Sequence, residues 1–179
     1  MSGQPEVWLR GETAGVSAAL QPVAHALLQA VEDAERLTAD LDQDILWRRP
    51  GEAASIGFHL RHMTGSLDRL MTYARGEPLT KVQRAALAEE KGAAPEMAAE
   101  ALLLHLRESV DRALDQLRST PPETLDELRS VGRAGYPSTV RGLLHHAGEH
   151  TARHAGQIST TVRVLQGPQA GEPGTGVAP

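Results

Sequence analysis

The sequence predicts an all-α protein, specifically a four-helix bundle with one long crossover connection. Four segments repeat apolar residues at the helical spacings of three and four, and no segment shows a convincing alternating strand pattern. An amphipathic helix must bury its apolar stripe against another element, so four such helices are most simply accommodated by packing together. Aromatic residues make up only 3% of the chain, and aliphatic side chains are therefore expected to fill the core.

Prolines and hydroxyl side chains mark where the predicted helices begin. Pro22 and Pro95 are tolerated in a first helical turn, because the N–H that proline lacks would have no partner within the helix. Ser55, and either Ser138 or Thr139, can cap a helix N-terminus with a side-chain oxygen. The predicted helices cover about residues 22–42, 55–74, 95–117 and 139–166.

Three further segments are predicted to lie outside these helices. Residues 1–21 are expected to form an N-terminal arm packed over a bundle domain of residues 22–166, and the Gly- and Pro-rich residues 167–179 a flexible tail. Residues 79–94 are polar and rich in alanine, which suggests a short helix within a long connection. This connection is too long for the short turn that typically joins adjacent antiparallel helices, and it is the predicted crossover.

The composition excludes several classes of protein. The chain has 179 residues and no cysteine, so it can build one ordinary domain but no disulfide, zinc–thiolate site or cysteine nucleophile. A formal net charge of −5 gives no basic surface for nucleic acid, and no apolar run approaches the roughly 18 residues of a transmembrane helix. The first residues lack an export signal. We expect a cytoplasmic protein without nucleic-acid or membrane partners.

Two histidines on the fourth predicted helix form a potential pair of metal ligands. His150 and His154 are four residues apart and are therefore neighbours on the helix surface, and neutral imidazole commonly binds zinc, nickel and ferrous iron. A helical wheel places His154 within the apolar stripe, His150 about 80° from its centre and His146 about 120° away. Hydrogen-bonded histidines at the edge of a core would show the same spacing. Metal binding requires a third ligand from elsewhere.

The second predicted helix offers two candidates for this third ligand. The wheel places His59 about 60° and His62 about 120° from the apolar centre, so periodicity alone prefers His59. Phe58, His62 and Tyr73 form a separate flank, however, and a second interface on that side would bury His62 equally well. Helical periodicity leaves both residues open.

Two segments resemble the signature regions of the DinB/YfiT-like family, and the similarity spans most of residues 22–165. The segments are Ser55-Ile-Gly-Phe-His-Leu-Arg-His62-Met-Thr-Gly65 and Leu143-Leu-His-His-Ala-Gly-Glu-His150-Thr-Ala-Arg-His154-Ala-Gly-Gln157-Ile158. The resemblance implies a four-helix bundle, usually homodimeric, in which one histidine of helix two and a His-x-x-x-His pair of helix four hold a divalent metal ion. By motif position these ligands are His62, His150 and His154. His59 stands where the family usually has an apolar residue, which leaves it a supporting role or a role as an alternative ligand.

Three neutral imidazoles leave a coordination position open, as in catalytic metal sites. An ion in such a site lowers the pKa of a bound water or holds a thiol as thiolate. The resembled family includes transferases that use bacillithiol, mycothiol or glutathione, so the resemblance implies metal-dependent thiol transfer to electrophilic small molecules. His146 and Gln157 are expected to support the ligands or the cosubstrate. The alternative is a stress-associated bundle that binds metal or a ligand without turnover.

Other helical metalloproteins are excluded by their motifs. No histidine follows a glutamate by three residues, as carboxylate-bridged di-iron bundles require, and the His-Glu-x-x-His motif of metalloproteases is absent.

His25 and His105 are expected to be packing or surface residues. Phe58 and Tyr73 would supply apolar surface for the homodimer that the resemblance implies.

Overall fold

The computed structural model describes residues 4–92 and 94–167, which form six helices and one small sheet. Short 3-10 turns occupy residues 7–9, 18–20 and 122–124. Most of the predicted tail, from residue 168 onward, lies outside the described residues. The elements in chain order are α1 (Gln21–Thr38), α2 (Gln43–Trp47), α3 (Ile56–Ala74), α4 (Lys81–Glu89), α5 (Ala99–Ser119), β1 (Leu128–Val131), β2 (Tyr136–Thr139) and α6 (Val140–Gln166).

The four long helices share one aliphatic core. Helices α1 and α3 each contact both α5 and α6. Gly148 of α6 permits a close approach to α1, since a Cβ atom at this position would lie 3.3 Å from the Cα of Val23. The helices therefore pack on their small and aliphatic faces, as the spacing of apolar residues predicted. The fully buried large side chains include Leu20, Leu27, Ile56, Leu60, Met63, Leu67, Leu102, Leu106, Leu117 and Leu144.

Hydroxyl caps fix the beginnings of the two helices that carry the histidine motifs. The Ser55 hydroxyl accepts a hydrogen bond from the N–H of Phe58 at 3.1 Å, so α3 begins where it was predicted to begin. At α6, Thr139 rather than Ser138 is the cap, because its hydroxyl accepts from the N–H of Gly142 at 3.0 Å. The caps therefore place the first helical residues at Ile56 and Val140.

Two predicted helix boundaries differ from the structure. Helix α1 ends at Thr38, before the predicted residue 42. Helix α5 begins at Ala99, whereas Pro95 was predicted to open it. Side chains of α2 explain the later start of α5. Gln43 donates to the carbonyls of Pro95 and Met97 at 2.8 and 2.9 Å, and the indole N–H of Trp47 donates to Met97 at 3.1 Å. These bonds hold the segment before α5 in a non-helical conformation.

A small β-hairpin was missed by the sequence reasoning. Strands β1 and β2 pair antiparallel, with Leu128 opposite Thr139 and Val131 opposite Tyr136. The side chains of Leu128 and Tyr136 are 80% and 70% exposed, so the strands carry no core-facing apolar alternation that a sequence pattern could reveal. Gly132 and Gly135 adopt positive φ in the turn between the strands. The hairpin leads directly into α6.

The chain before α1 lies against that helix. The N–H of Val7 donates to the Gln29 side chain at 2.9 Å, and Arg10 forms an ion pair with Glu32 at 2.7 Å. Within the described residues, no helix has both the length and the hydropathy needed to cross a membrane.

Candidate metal centre

Helices α3 and α6 bring three histidines together at their contact. One ligand atom from each of His62, His150 and His154 lies within 4.8 Å of the other two. The Nε2 atoms of His62 and His150 are 2.8 Å apart, and the ring centroid of His154 lies 4.5 and 4.6 Å from those of His62 and His150. His154 is buried, and the other two side chains are half-buried. The structure thus assembles the three residues that the motif resemblance selects.

His59 also reaches this cluster, but from its inner side. Its side chain is only 6% exposed, in keeping with its place near the apolar centre of the wheel. Its Nδ1 atom lies 3.0 Å from Nδ1 of His154, so one of these two nitrogens carries the shared hydrogen. Both histidines left open by periodicity are therefore near the site. His62 belongs to the group of three, and His59 contacts one member of that group.

A carboxylate that sequence reasoning did not single out completes the cluster. Glu90, the residue that follows α4, is only 7% exposed, and its Oε1 atom accepts a short hydrogen bond from Nδ1 of His62. Arg69 of α3 donates to Oε2 of Glu90 at 2.7 Å and to Oε1 at 3.4 Å. A buried carboxylate requires such partners. No local pattern in the polar segment 79–94 marks Glu90, because its partners are more than twenty residues away in the chain.

Gly65 provides the space that Glu90 and Arg69 occupy. A Cβ atom at this position would lie 2.7 Å from Oε2 of Glu90 and 2.8 Å from Nη1 of Arg69. His62, Gly65 and Arg69 follow one another at spacings of three and four, so they share one face of α3. That spacing was visible in the sequence and could have indicated Arg69. The contact with Glu90 explains why glycine suits the third position after His62.

Burial is the largest cause of the lowered pKa values of His59, His150 and His154. It lowers the pKa of His59 and of His150 to about 4, and that of His154 to about 3, with His62 contributing in each case. For Glu90, burial raises the pKa, but the hydrogen bonds from His62 and Arg69 outweigh burial and leave the pKa below its ordinary value. Near neutral pH His59, His150 and His154 are therefore uncharged and Glu90 is ionised.

The other sequence-selected residues lie outside the group of three. His146 is exposed, with its ring centroid 5.2 Å from that of His150, and its Nδ1 atom is 3.4 Å from Glu149. Gln157 is exposed on α6, one turn after His154. Arg153 pairs with Glu149 on the exposed side of α6. His25 contacts the carbonyl of Gly11, and His105 is exposed.

A cleft lies beside the histidines on the side of Phe58. The Phe58 ring stacks on His62 with a centroid distance of 5.5 Å and an angle of 9° between the rings. Phe58 also lines a cavity of about 410 Å³, together with Trp47 as a second aromatic wall, Arg49 and Lys91 as cationic groups and Glu52 as an anionic one. Phe58 therefore separates the cluster from a space that could hold a small molecule.

Comparison with known protein families gives a match over most of the chain. The model of the DinB superfamily matches residues 19–158, which include all four long helices in whole or in part. The chain belongs to the DinB superfamily. No curated protein matches the sequence. A crystal structure of a Streptococcus pneumoniae protein from the Northeast Structural Genomics Consortium has a similar fold. Its TM-score is 0.59 and its sequence identity is 12%, over 83% of this chain and 90% of that chain.

The side chains of this DinB superfamily protein fit a divalent metal ion. The Nδ1 atom of His150 is buried and has no hydrogen-bond partner among residues 4–92 and 94–167. His62 and His150 direct their Nε2 atoms at each other, an arrangement that needs a shared hydrogen or a cation between them. Uncharged imidazole is the form that binds zinc, nickel or iron, and the depressed pKa values of His150 and His154 favour that form. The cluster could therefore hold such an ion.

Proposed function

We propose that this four-helix bundle protein is a metal-dependent thiol S-transferase. Its ion, which is zinc, nickel or iron, is held by His62, His150 and His154. The observation that carries the proposal is the convergence of three imidazoles that could hold a metal ion, in a chain without cysteine. Three protein ligands leave a coordination position open, as in catalytic sites, whereas structural zinc sites are usually closed by four. The thiol would come from the cosubstrate, of the bacillithiol, mycothiol or glutathione type.

The reaction class follows from what such a site supplies. A divalent ion provides Lewis acidity, which favours the deprotonated form of a thiol at neutral pH. In the transfer, the thiol sulfur forms a bond to the electrophilic carbon, the leaving group departs with the bonding electrons, and the thiol proton passes to solvent. The chain's own residues position the reactants and exclude water.

Residues around the three histidines have separate roles in this proposal. His59 accepts a hydrogen bond from Nδ1 of His154 and orients that ring. Phe58 forms the wall between the ligands and the cleft, where Arg49 and Lys91 offer positive charge to an anionic cosubstrate. Gln157 contacts the cosubstrate from the exposed side of α6, and His146 remains at the edge. The three proposed ligands do not line the cleft themselves, so a cosubstrate held there would reach the ion past Phe58.

Metal analysis and a thiol panel test the proposal. We expect protein purified without an affinity tag to contain about one divalent ion per chain, and His154→Ala to lose it. His105→Ala is the matched control, because it removes an exposed histidine that is not one of the three proposed ligands. Bacillithiol, mycothiol and glutathione are then each incubated with a generic electrophile, and we expect one thiol to be consumed faster with the parent protein than with His154→Ala.

The outcomes separate the proposal from its alternative. If the metal is retained but no thiol is consumed faster than with His154→Ala, the protein is a metal-binding bundle without turnover. If His154→Ala retains the metal as the parent does, the assignment of the ligands is wrong.

A further inference from the structure

The position of Glu90 does not result from apolar packing. None of the nine residues of α4 is buried, so this helix contributes no side chain to the core. Glu90 follows it immediately and is only 7% exposed. Burying a carboxylate is unfavourable unless it is paired, so the burial of Glu90 carries a free-energy cost. The groups that Glu90 contacts indicate its role.

Polar contacts at both ends of α4 hold Glu90 in place. At the beginning, Thr80 and Gln83 form a capping box, and the Gln83 amide donates to Asp68 and Thr72 of α3 at 2.7 Å each. At the end, Arg61 donates to the carbonyl of Gly92 at 2.6 Å and to that of Glu89 at 3.3 Å. Helix α4 is thus fixed on α3 without apolar burial, and Glu90, which follows it, is held next to His62.

Glu90 determines which nitrogen of His62 carries the hydrogen. An ionised carboxylate only accepts hydrogen bonds, so its contact with Nδ1 of His62 requires a hydrogen on Nδ1. The other nitrogen, Nε2, is then the one with an available lone pair in the neutral ring. That nitrogen lies 2.8 Å from Nε2 of His150 and therefore points into the cluster. Metal-binding histidines commonly donate their second N–H to a carboxylate in this way.

We propose that Glu90, held by Arg69, is a positioning residue that fixes His62 in the Nδ1–H form and directs its Nε2 lone pair into the cluster. The proposal deepens the proposed function and rests on it, because the orientation of His62 matters when that residue is a ligand. Arg69 holds the carboxylate in place through its own hydrogen bonds to both oxygens. The long connection between α3 and α5 thereby gains a function at the metal centre.

The test compares Glu90→Gln with Glu89→Gln. The control removes the same charge from the neighbouring, exposed residue, whose side chain is not at the site. Glu90→Gln keeps the size of the side chain but presents an uncharged amide, which can donate to Nδ1 and so favour the opposite ring form. Two quantities are measured: Zn²⁺ affinity by competition with a chelator, and the hydrogen position on His62 by ¹⁵N NMR of the metal-free protein at pH 8.

We expect the parent and Glu89→Gln to show His62 with its hydrogen on Nδ1, and Glu90→Gln to show a substantial population with the hydrogen on Nε2. Zn²⁺ affinity should fall about 10- to 100-fold in Glu90→Gln and remain unchanged in Glu89→Gln. An unchanged hydrogen position in Glu90→Gln would overturn the proposal, even if the variant were less stable. A residue that merely anchored α4 would change the melting temperature without changing the ring form.

The NMR measurement also separates this proposal from the proposed function. It uses protein without metal, so it reports on Glu90 whether or not the parent binds Zn²⁺. If the parent shows the Nδ1–H form but binds no divalent ion, the proposed function fails and the orienting effect of Glu90 stands. If the parent binds Zn²⁺ and Glu90→Gln retains both the affinity and the Nδ1–H form, only the positioning role is refuted.

Discussion

Replacing Gly65 with alanine should displace the carboxylate and guanidinium that lie against it. The added methyl group would lie 2.7 Å from Oε2 of Glu90 and 2.8 Å from Nη1 of Arg69, distances that require at least one of these groups to move. Both groups end flexible side chains, so the helix backbone can remain in place while their hydrogen bonds are lost. Gly156→Ala is the matched control, because a Cβ atom there meets no described atom within 4 Å.

The expected effect on stability has opposite signs in the two variants. Replacing glycine by alanine within a helix gains about 1 kcal/mol at an exposed site, so Gly156→Ala should be stabilised by roughly that amount. In Gly65→Ala the same gain is offset by a weakened charged hydrogen bond, which contributes about 1.5–3 kcal/mol. The net change is a loss of about 0.5–2 kcal/mol, or roughly 1–8 °C in melting temperature for a chain of this size.

Thermal unfolding of the metal-free proteins and Zn²⁺ competition measure these effects. Besides the change in melting temperature, we expect Gly65→Ala to bind Zn²⁺ about 10- to 100-fold more weakly, since Glu90 no longer aligns His62. Gly156→Ala should bind as the parent does. If Gly65→Ala is as stable as Gly156→Ala and binds Zn²⁺ with the parental affinity, the space at Gly65 has no role in holding the carboxylate.

Three further predictions concern the histidines and the assembly. Burial, aided by His62, lowers the pKa of His59 and of His150 to about 4 and that of His154 to about 3. Below pH 6.5 the folded metal-free protein therefore binds fewer protons at these histidines than the unfolded chain does. The free energy of unfolding, measured with urea, should therefore be level with respect to these groups above pH 6.5 and fall as the pH drops from there towards 4. His59→Leu should retain the metal with reduced affinity while His62→Ala loses it; metal analysis showing the reverse would mean that the helical wheel identified the true ligand. Sedimentation at micromolar concentration should show a homodimer that Tyr73→Ser weakens, and a single 19.2 kDa species in the parent would contradict this.

The sequence predicted the elements whose signals are local. Ser55 and Thr139 cap helices through neighbouring backbone groups, and the apolar spacing of α3 and α6 reflects faces that are buried in the structure. The beginning of α5 could not be predicted in this way, since side chains of α2 some fifty residues earlier bind its preceding carbonyls. The hairpin was also hidden, because its exposed strands have no apolar face to alternate.

The candidate site shows the same division between local and distant signals. His150 and His154 were recognised from their spacing on one helix, and the motif resemblance selected His62 over His59. Glu90 was missed because an isolated glutamate in a polar segment has the same local appearance whether it is exposed or buried. Only the tertiary arrangement of α4 on α3 distinguishes the two, and that arrangement depends on polar contacts without a periodic pattern.

The hairpin determines how α6 is rotated about its own axis. Strand β2 ends at Thr139 and the helix begins at the next residue, while the first amides of α6, at Val140 and Arg141, donate to carbonyls of the segment that leads into β1. An insertion in the turn at 132–135 leaves this junction intact. A single residue inserted after Thr139 would instead turn the whole helix by about 100° relative to the hairpin, which would carry the histidine pair away from α3. Length variation on the two sides of β2 is therefore expected to have very different consequences for metal binding.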